Sequence, residues 1–128
     1  MRVYLAARFS RRYELQGYRA DLQRAGHTVV SRWIDLAEEV EADARKCARV
    51  DLEDIELADT LISFPDPPRS TNTRGGHFFE EGYAYARGRR VIIVENRSHL
   101  FHRLSAVEFF PTWPEAIRAL TPQRRLAA

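Results

Sequence analysis

Asp51 is a carboxylate that the sequence places among apolar residues. On a helix of about 3.6 residues per turn, it shares one face with four apolar residues: Ala44, Ala48, Ile55 and Ala58. A carboxylate in such surroundings is costly unless it makes hydrogen bonds or lines a cavity, which favours a role in a site. The alternative is a shifted register, in which Asp51 joins Glu53 and Asp54 on a solvated face.

Glu80 is the second candidate because it follows Gly75 and Gly76 by one short turn. A carboxylate near a helix N-terminus is kept ionised by the helix dipole, which suits a nucleophile. The alternative is that Glu80 and Glu81 are first-turn acids that only stabilise the helix. Tyr4, in the first predicted strand, can present its hydroxyl to a site, although a tyrosine in a strand more often fills the core.

Other kinds of chemistry are disfavoured by the residue types and their spacing. The four histidines lack the dense spacing of metal ligands, and Cys47 is the only cysteine, so we expect neither a metal site nor a disulfide. The glycine-rich motifs typical of ATP and NAD binding do not occur. We therefore expect no cofactor.

The composition is that of an ordinary globular protein, with 128 residues of which 45% are hydrophobic and 30% charged. This length predicts a single domain over residues 1–128. The net charge is +2 and the basic residues are dispersed, so we do not expect nucleic acid as a partner. No apolar run approaches the roughly 20 residues that cross a bilayer, so we expect a cytoplasmic protein without membrane association.

Strand-like and helix-like segments alternate along the chain. Strands are predicted at 3–6, 27–30, 60–64 and 90–94, with a short edge strand at 107–110. Helices are predicted at 10–26, at 36–58 with a break, at 77–88 and at 113–120. Ser10 is the expected N-cap of the first helix. The alternation predicts an α/β fold, with a parallel sheet and helices on both of its faces.

Ligands bind such folds at the carboxyl ends of the strands. The segments to search are therefore 6–10, 31–35, 64–76 and 95–98. Three prolines and two glycines make 65–76 a long loop, and long loops of this kind often shape a site. The candidate substrate-binding residues in these segments are Arg8, Phe9, Ser10, Trp33, Arg74, Gly75 and Gly76.

Three segments resemble the nucleoside 2-deoxyribosyltransferases and their relatives that hydrolyse nucleoside 5'-monophosphates. They are Arg2–Ala6, the helix segment 51–55 with Ala58-Asp59 after it, and Glu-Glu-Gly-Tyr-Ala at 80–84 with Gly88 after it. The last segment is the most specific. The resemblance implies a flavodoxin-like doubly wound fold, a nucleophile at Glu80, active-site roles for Asp51 and Tyr4, and sites completed by a neighbouring subunit.

The activity that the resemblance implies is cleavage of the N-glycosidic bond of (deoxy)nucleosides or nucleoside 5'-monophosphates. A glutamyl-glycosyl intermediate would pass the sugar to another base or to water. The alternative is a noncatalytic nucleotide-binding or sensing domain on the same fold. Arg74 stands where transferases of the family often carry an acidic residue that helps to read the base, so the base preference stays open.

The loop at 8–12 is similar in place to the segment that meets the sugar or the 5'-phosphate in the monophosphate hydrolases. Four arginines are expected near the ligand edge, with the Ser10 hydroxyl beside them: Arg8, Arg11, Arg12 and Arg74. These groups suit an anion. The alternative is that an arginine-rich chain scatters arginines over its whole surface.

A homodimer or a larger homo-oligomer is expected as well. The resemblance implies shared sites, and the third helix carries an aromatic cluster formed by Phe78, Phe79, Tyr83 and Tyr85. One helix face of a small monomer cannot hide all four side chains, so some of them should lie in an interface.

Overall fold

Strands and helices alternate along the chain in a computed structural model that describes residues 1–37, 43–71 and 75–123. The strands are β1 (Arg2–Ala6), β2 (Thr28–Val29), β3 (Thr60–Ser63), β4 (Arg90–Val94) and β5 (Val107–Phe110). The helices are α1 (Arg12–Arg24), α2 (Ala44–Leu57), α3 (Gly76–Ala86) and α4 (Trp113–Leu120). Short 3-10 turns cover Phe9–Arg11, Arg32–Asp35 and Leu100–Arg103.

The five strands form one sheet in the order β2-β1-β3-β4-β5, and every neighbouring pair is parallel. Parallel neighbours need a crossover connection, which the helices provide. The central strands are continuous apolar runs because both faces of the sheet are covered. This strand order is that of flavodoxin-like folds, so the predicted fold class is confirmed.

Two pairs of helices cover the sheet. In the first pair, the Tyr18 ring of α1 lies 4.6 Å from the Trp113 ring of α4, and the Trp113 indole donates to Asp21 at 2.8 Å. In the second pair, α2 packs against α3. Since α2 and α3 carry Asp51 and Glu80, this second pair holds the two carboxylates that the sequence singled out.

The structure corrects several predicted boundaries. Ser10 lies inside a 3-10 turn and is exposed, and neither that turn nor α1 has a side-chain hydrogen bond at its N-cap, so the predicted cap is wrong. The second strand is only two residues long. In the segment 36–58, the described helix begins at Ala44. The edge strand β5 and the helix α4 are found where the pattern predicted them.

The aromatic cluster of α3 is only partly covered. Phe79 is 69% exposed and Tyr85 is 45% exposed, whereas Phe78 and Tyr83 are half-buried. The Tyr83 hydroxyl donates a hydrogen bond to Glu56 at 2.6 Å, so its polar group is satisfied within the chain. The oligomeric state therefore stays a prediction that rests on the exposed pair.

None of the helices within the described ranges is both long enough and apolar enough to span a lipid bilayer.

Candidate active site

A cleft of about 1010 Å³ opens at the carboxyl ends of β1 and β2. Its walls come from the loop after β1, the turn after β2, one face of α2 and the first turns of α3. This is the edge of the sheet where doubly wound folds bind ligands. Six of the seven predicted substrate-binding residues line it, together with Asp51 and Glu80.

Glu80 lines the cleft and contacts Tyr4, which is buried and is not itself part of the lining. Tyr4 points from β1 with no exposed surface, and its hydroxyl donates a hydrogen bond to Oε2 of Glu80 on α3. Burial is the main cause that raises the pKa of Tyr4 well above its ordinary value, and the nearby charge of Glu80 adds to it. Tyr4 is therefore a lasting hydrogen-bond donor to the carboxylate.

The protonation state of Glu80 differs from the ionised state that its position near a helix N-terminus predicted. Burial raises the pKa of Glu80 to about 8, the hydrogen bond from Tyr4 lowers it in part, and the charges of Asp51 and Glu81 raise it further. The helix dipole was expected to keep this group ionised. That expectation is wrong, because Glu80 lies in the second turn of α3 and desolvation outweighs a partial charge at the helix end.

Asp51 lines the cleft from α2 and is half-buried. Burial raises its pKa to about 6, the charge of Asp54 adds to the rise, and the charge of Arg32 opposes it. The face that it shares with Ala44 and Ala48 is exposed to the cleft rather than packed in the core. The carboxylate therefore lines a cavity, which is one of the two roles that its apolar neighbours predicted.

Asp54 is a buried carboxylate that the sequence pattern did not reveal. It is 1% exposed and accepts hydrogen bonds from the backbone N–H of Arg32 at 3.0 Å and from its Nε at 2.9 Å. The partner comes from the 3-10 turn after β2, so no local periodicity could indicate it. This contact joins α2 to the turn that carries Trp33 and thereby shapes one side of the cleft.

The loop after β1 brings three predicted residues to the cleft. Arg8, Phe9 and Ser10 all line it, and Phe9 lies 6.3 Å from the ring of Trp33. The Arg8 side chain is 34% exposed and lies 3.4 Å from Asp66, and its Nε makes no hydrogen bond within the structure. Arg8 thus lines the cleft while its buried Nε faces the Asp66 carboxylate.

Trp33 and the two glycines complete the predicted set within the described residues. The Trp33 indole donates to the carbonyl of Leu5 at 2.8 Å, which fixes its ring as a wall of the cleft. Gly75 has φ +79°, in the left-handed region that favours glycine, and Gly76 begins α3. Arg74 lies outside the described residues.

Arg11 and Arg12 are both held by contacts within the protein, and Arg12 also lines the cleft. Arg11 donates to Glu14 at 2.6 Å and to Glu95 at 3.1 Å, so its charge is already paired. Arg12 stacks over Phe9 with its guanidinium carbon 4.3 Å from the ring centre, and its Nε donates to a main-chain carbonyl at 2.9 Å. Of the four arginines expected near the ligand edge, Arg8 and Arg12 line the cleft, whereas Arg11 does not and Arg74 lies outside the described residues.

His77 is a cleft residue that the search for metal ligands passed over. It lies three residues before Glu80 on α3, so the two share a helix face, and it is only 3% exposed. Burial lowers its pKa, and its Nε2 makes no hydrogen bond within the structure. Among the described residues, no group of three His, Cys, Asp or Glu side chains could hold a metal ion.

The arrangement combines the parts that glycosyl transfer needs. A carboxylate held by a tyrosine hydroxyl can attack a carbon, and a second carboxyl with a pKa of about 6 can give or take a proton near neutral pH. The aromatic rings of Phe9 and Trp33 offer apolar surface to a flat ring system. The cleft can therefore hold a small polar and aromatic molecule against two carboxyl groups.

The chain matches one protein-family model, described as nucleoside 2-deoxyribosyltransferase, over residues 3–112. That match includes Tyr4, Asp51 and Glu80. Among curated protein sequences, none is similar enough to count as a relative.

Solved structures share the fold, and two of the following three are described as 2-deoxyribosyltransferases. A 2-deoxyribosyltransferase from the bacterium Bacillus psychrosaccharolyticus superposes with a TM-score of 0.73 at 22% identity, over 98% of this chain and 100% of its own. A 2-desoxiribosyltransferase from Leishmania mexicana gives 0.69 at 17% identity, over 94% and 96%. A conserved protein from Enterococcus faecalis V583 gives 0.54 at 16% identity, over 94% and 86%. At these identities the likeness establishes the fold.

Proposed function

The chain belongs to the nucleoside 2-deoxyribosyltransferase family, and from that premise we propose that it cleaves the N-glycosidic bond of nucleosides through a covalent intermediate on Glu80. The observation that carries the proposal is the hydrogen bond from Tyr4 to Glu80, which lines the same cleft as Asp51. A noncatalytic binding domain would gain nothing from a desolvated carboxylate held in this way.

The first step is attack on C1' of the sugar by a carboxylate oxygen of Glu80 in its ionised form, which is the minor form near neutral pH because the pKa of Glu80 is about 8. A C1'–O bond forms while the C1'–N bond breaks, and its electron pair goes to the leaving base through a transition state with oxocarbenium character. Asp51 supplies a proton to that base, because a carboxyl with a pKa of about 6 is still partly protonated near neutral pH. Tyr4 keeps the attacking oxygen in place.

The second step returns the enzyme to its starting state. A nitrogen of a second base, or a water oxygen, attacks C1', and the C1'–O bond breaks with its electron pair returning to the Glu80 carboxylate. The proton of the incoming group passes to Asp51, which lost one in the first step. The family favours a base as the acceptor. Water as the acceptor would give a hydrolase on the same residues.

A 5'-phosphate on the substrate is favoured by one specific observation. Arg8 lines the cleft and is partly exposed; its buried Nε faces the Asp66 carboxylate at 3.4 Å, so the terminal N–H groups of its guanidinium are the ones that would pair with an anion. The Ser10 hydroxyl lies on the same loop and also lines the cleft. We therefore propose nucleoside 5'-monophosphates as the second candidate substrates.

The experiment that tests the function is a base-exchange assay followed by chromatography. The purified protein is incubated with a panel of deoxynucleosides and their 5'-monophosphates, with and without a second free base. A new nucleoside that carries the second base supports transfer, and a free base with free sugar supports hydrolysis. Binding without either product would overturn the enzymatic proposal and leave the nucleotide-binding alternative.

A further inference from the structure

Glu81, the residue after the proposed nucleophile, is held by two side chains from distant parts of the fold. Its Oε2 accepts a hydrogen bond from the Ser63 hydroxyl at 2.8 Å, and its Oε1 lies 2.5 Å from Nε2 of His102. All three side chains are buried, with exposures of 7% for Glu81, 0% for Ser63 and 4% for His102. None of the three lines the cleft.

The tautomer of His102 follows from its surroundings. Its Nδ1 is buried and makes no hydrogen bond within the structure. A proton on Nδ1 would leave a buried N–H unpaired, which is costly, whereas a proton on Nε2 can be donated to Glu81. The contact is therefore a directed hydrogen bond, and both carboxylate oxygens of Glu81 are occupied.

The inner face of α3 combines apolar and polar contacts, with Tyr83 half-buried against the core and hydrogen-bonded to Glu56, and Phe78 packed near His102. The residues that α3 buries are His77, Glu81 and Ala84, of which only alanine is apolar. Hydrophobic burial is not directional, whereas hydrogen bonds are, so two hydrogen bonds to one carboxylate define the direction in which Glu81 points. Successive residues on a helix lie about 100° apart, so the rotation that seats Glu81 also sets where Glu80 points.

We propose that Glu81 is a positioning residue, whose carboxylate, bound between Ser63 of β3 and His102 of the turn before β5, fixes the rotation of α3 that turns Glu80 toward Tyr4 and the cleft. This inference rests on the proposed role of Glu80. Because His102 lies in the connection between β4 and β5, this connection takes part in positioning Glu80, although it lines no part of the cleft within the described residues.

The test compares variants that change the two contacts of Glu81 to different extents. Glu81→Leu fills the space but removes both hydrogen bonds, while Glu81→Gln keeps a side chain of the same shape that can still bond to Ser63 and His102. Ala84→Gly is the matched control, because it weakens the same buried face without touching a polar contact. Ser63→Ala removes only the hydrogen bond between Ser63 and Glu81. It serves as the test variant if Glu81→Leu does not fold.

The first measurement is kcat and KM for base release or exchange, together with the melting temperature of each variant. We expect kcat of Glu81→Leu to fall on the order of 100-fold, since small misplacement of a reacting group has effects of this size. Glu81→Gln should restore most of the rate, and Ser63→Ala should fall in between. Ala84→Gly should melt earlier with an unchanged kcat.

The second measurement does not depend on activity. The pKa of the Glu80 carboxyl is followed by 13C NMR in protein labelled at glutamate, with the signal assigned by its loss in Glu80→Gln. The groups that face Glu80 are Tyr4, Asp51 and Glu81, and burial keeps its pKa near 8. Loss of the Glu81 charge lowers the Glu80 pKa in both variants, and rotation of α3 would expose Glu80 further in Glu81→Leu, so we expect the larger fall, toward the ordinary 4.5, in Glu81→Leu.

The two measurements separate this inference from the proposed function. If the wild type has no activity but the Glu80 pKa falls further in Glu81→Leu than in Glu81→Gln, the function fails and the positioning role stands. If the Glu80 pKa is the same in Glu81→Leu and Glu81→Gln and unchanged in Ser63→Ala, and the kcat of Glu81→Leu and Ser63→Ala equals that of Ala84→Gly, Glu81 is a structural residue only and the inference is overturned.

Discussion

The hydroxyl of Tyr4 donates a hydrogen bond to the carboxylate of Glu80, across 76 residues of sequence. The contact exists because β1 is an interior strand, between β2 and β3, where α3 can pack over it. It is also the one polar contact that lowers the pKa of Glu80, against burial and the charges of Asp51 and Glu81. Tyr4 thus favours the ionised form that a nucleophile needs.

Replacing Tyr4 with phenylalanine tests that relationship. Tyr4→Phe removes the donor but keeps the ring in the core, so the fold should survive. The pKa of Glu80 should rise above its wild-type value, and kcat should fall about 10- to 100-fold, as for a hydrogen bond to a charged group. Steady-state kinetics over pH 5 to 9 measure both effects, and an unchanged rate profile would contradict the role given to Tyr4.

Replacing Asp51 with asparagine should change activity and stability in opposite directions. Asp51→Asn removes the proton donor for the leaving base, so kcat should fall by about 100-fold or more. The loss should be greatest for substrates with poor leaving bases. Rates equal to the wild type on every substrate would show that Asp51 takes no part in proton transfer.

The stability effect of Asp51→Asn has a defined pH window. The pKa of Asp51 rises from 3.8 to about 6 on folding, so the wild type loses stability as the pH increases between these values. At pH 7 the variant should be more stable, on the order of 1 kcal/mol because the group is half-exposed, and at pH 3.5 the two should be alike. Urea unfolding at both pH values measures this difference.

Replacing Arg8 with alanine tests the preference for a 5'-phosphate. If Arg8 pairs with the phosphate, the wild type should have a higher kcat/KM for a monophosphate than for its nucleoside, and Arg8→Ala should remove most of that preference. A charge-assisted bond corresponds to roughly 1.5 to 3 kcal/mol, or about 10- to 100-fold. Arg19→Ala is the control, because Arg19 pairs with Asp35 outside the cleft and should leave the preference intact.

The exposed aromatic side chains of α3 lead to a prediction about assembly. Phe79 and Tyr85 are large and exposed, and we expect them to lie in an interface between copies of the chain. Light scattering at micromolar concentration should give at least a dimer, and Phe79→Glu should shift it toward monomer. A monomeric wild type would contradict the expectation.

The fold was predictable because its strongest signals are local. The strand β4 reads as a continuous apolar run, and the amphipathic helix α4 starts where the pattern placed it. The N-cap predicted at Ser10 was wrong because a serine before an amphipathic segment looks the same in sequence whether it caps the helix or lies inside a 3-10 turn. The chain takes a 3-10 turn there before α1 begins.

The candidate site was predictable only in part, for a physical reason. Asp51 stands out because its neighbours on the helix face are apolar. Glu80 stands out because it follows two glycines near the start of a helix. Asp54 and Glu81 do not, because each is buried by a partner from a distant segment, Arg32 in one case and His102 in the other. Contacts of this kind depend on the packing of the whole sheet and leave no periodic trace in the sequence.

The nucleophilic role of Glu80 is the central claim, and a trapped intermediate tests it most directly. The protein is mixed with a deoxynucleoside, quenched with acid, digested and analysed by mass spectrometry. The account predicts that the peptide containing Glu80 gains the mass of one deoxyribosyl group, that the modified residue is Glu80, and that Glu80→Gln forms no adduct and has no turnover. Full turnover by Glu80→Gln, or a sugar bound to another side chain, would contradict it.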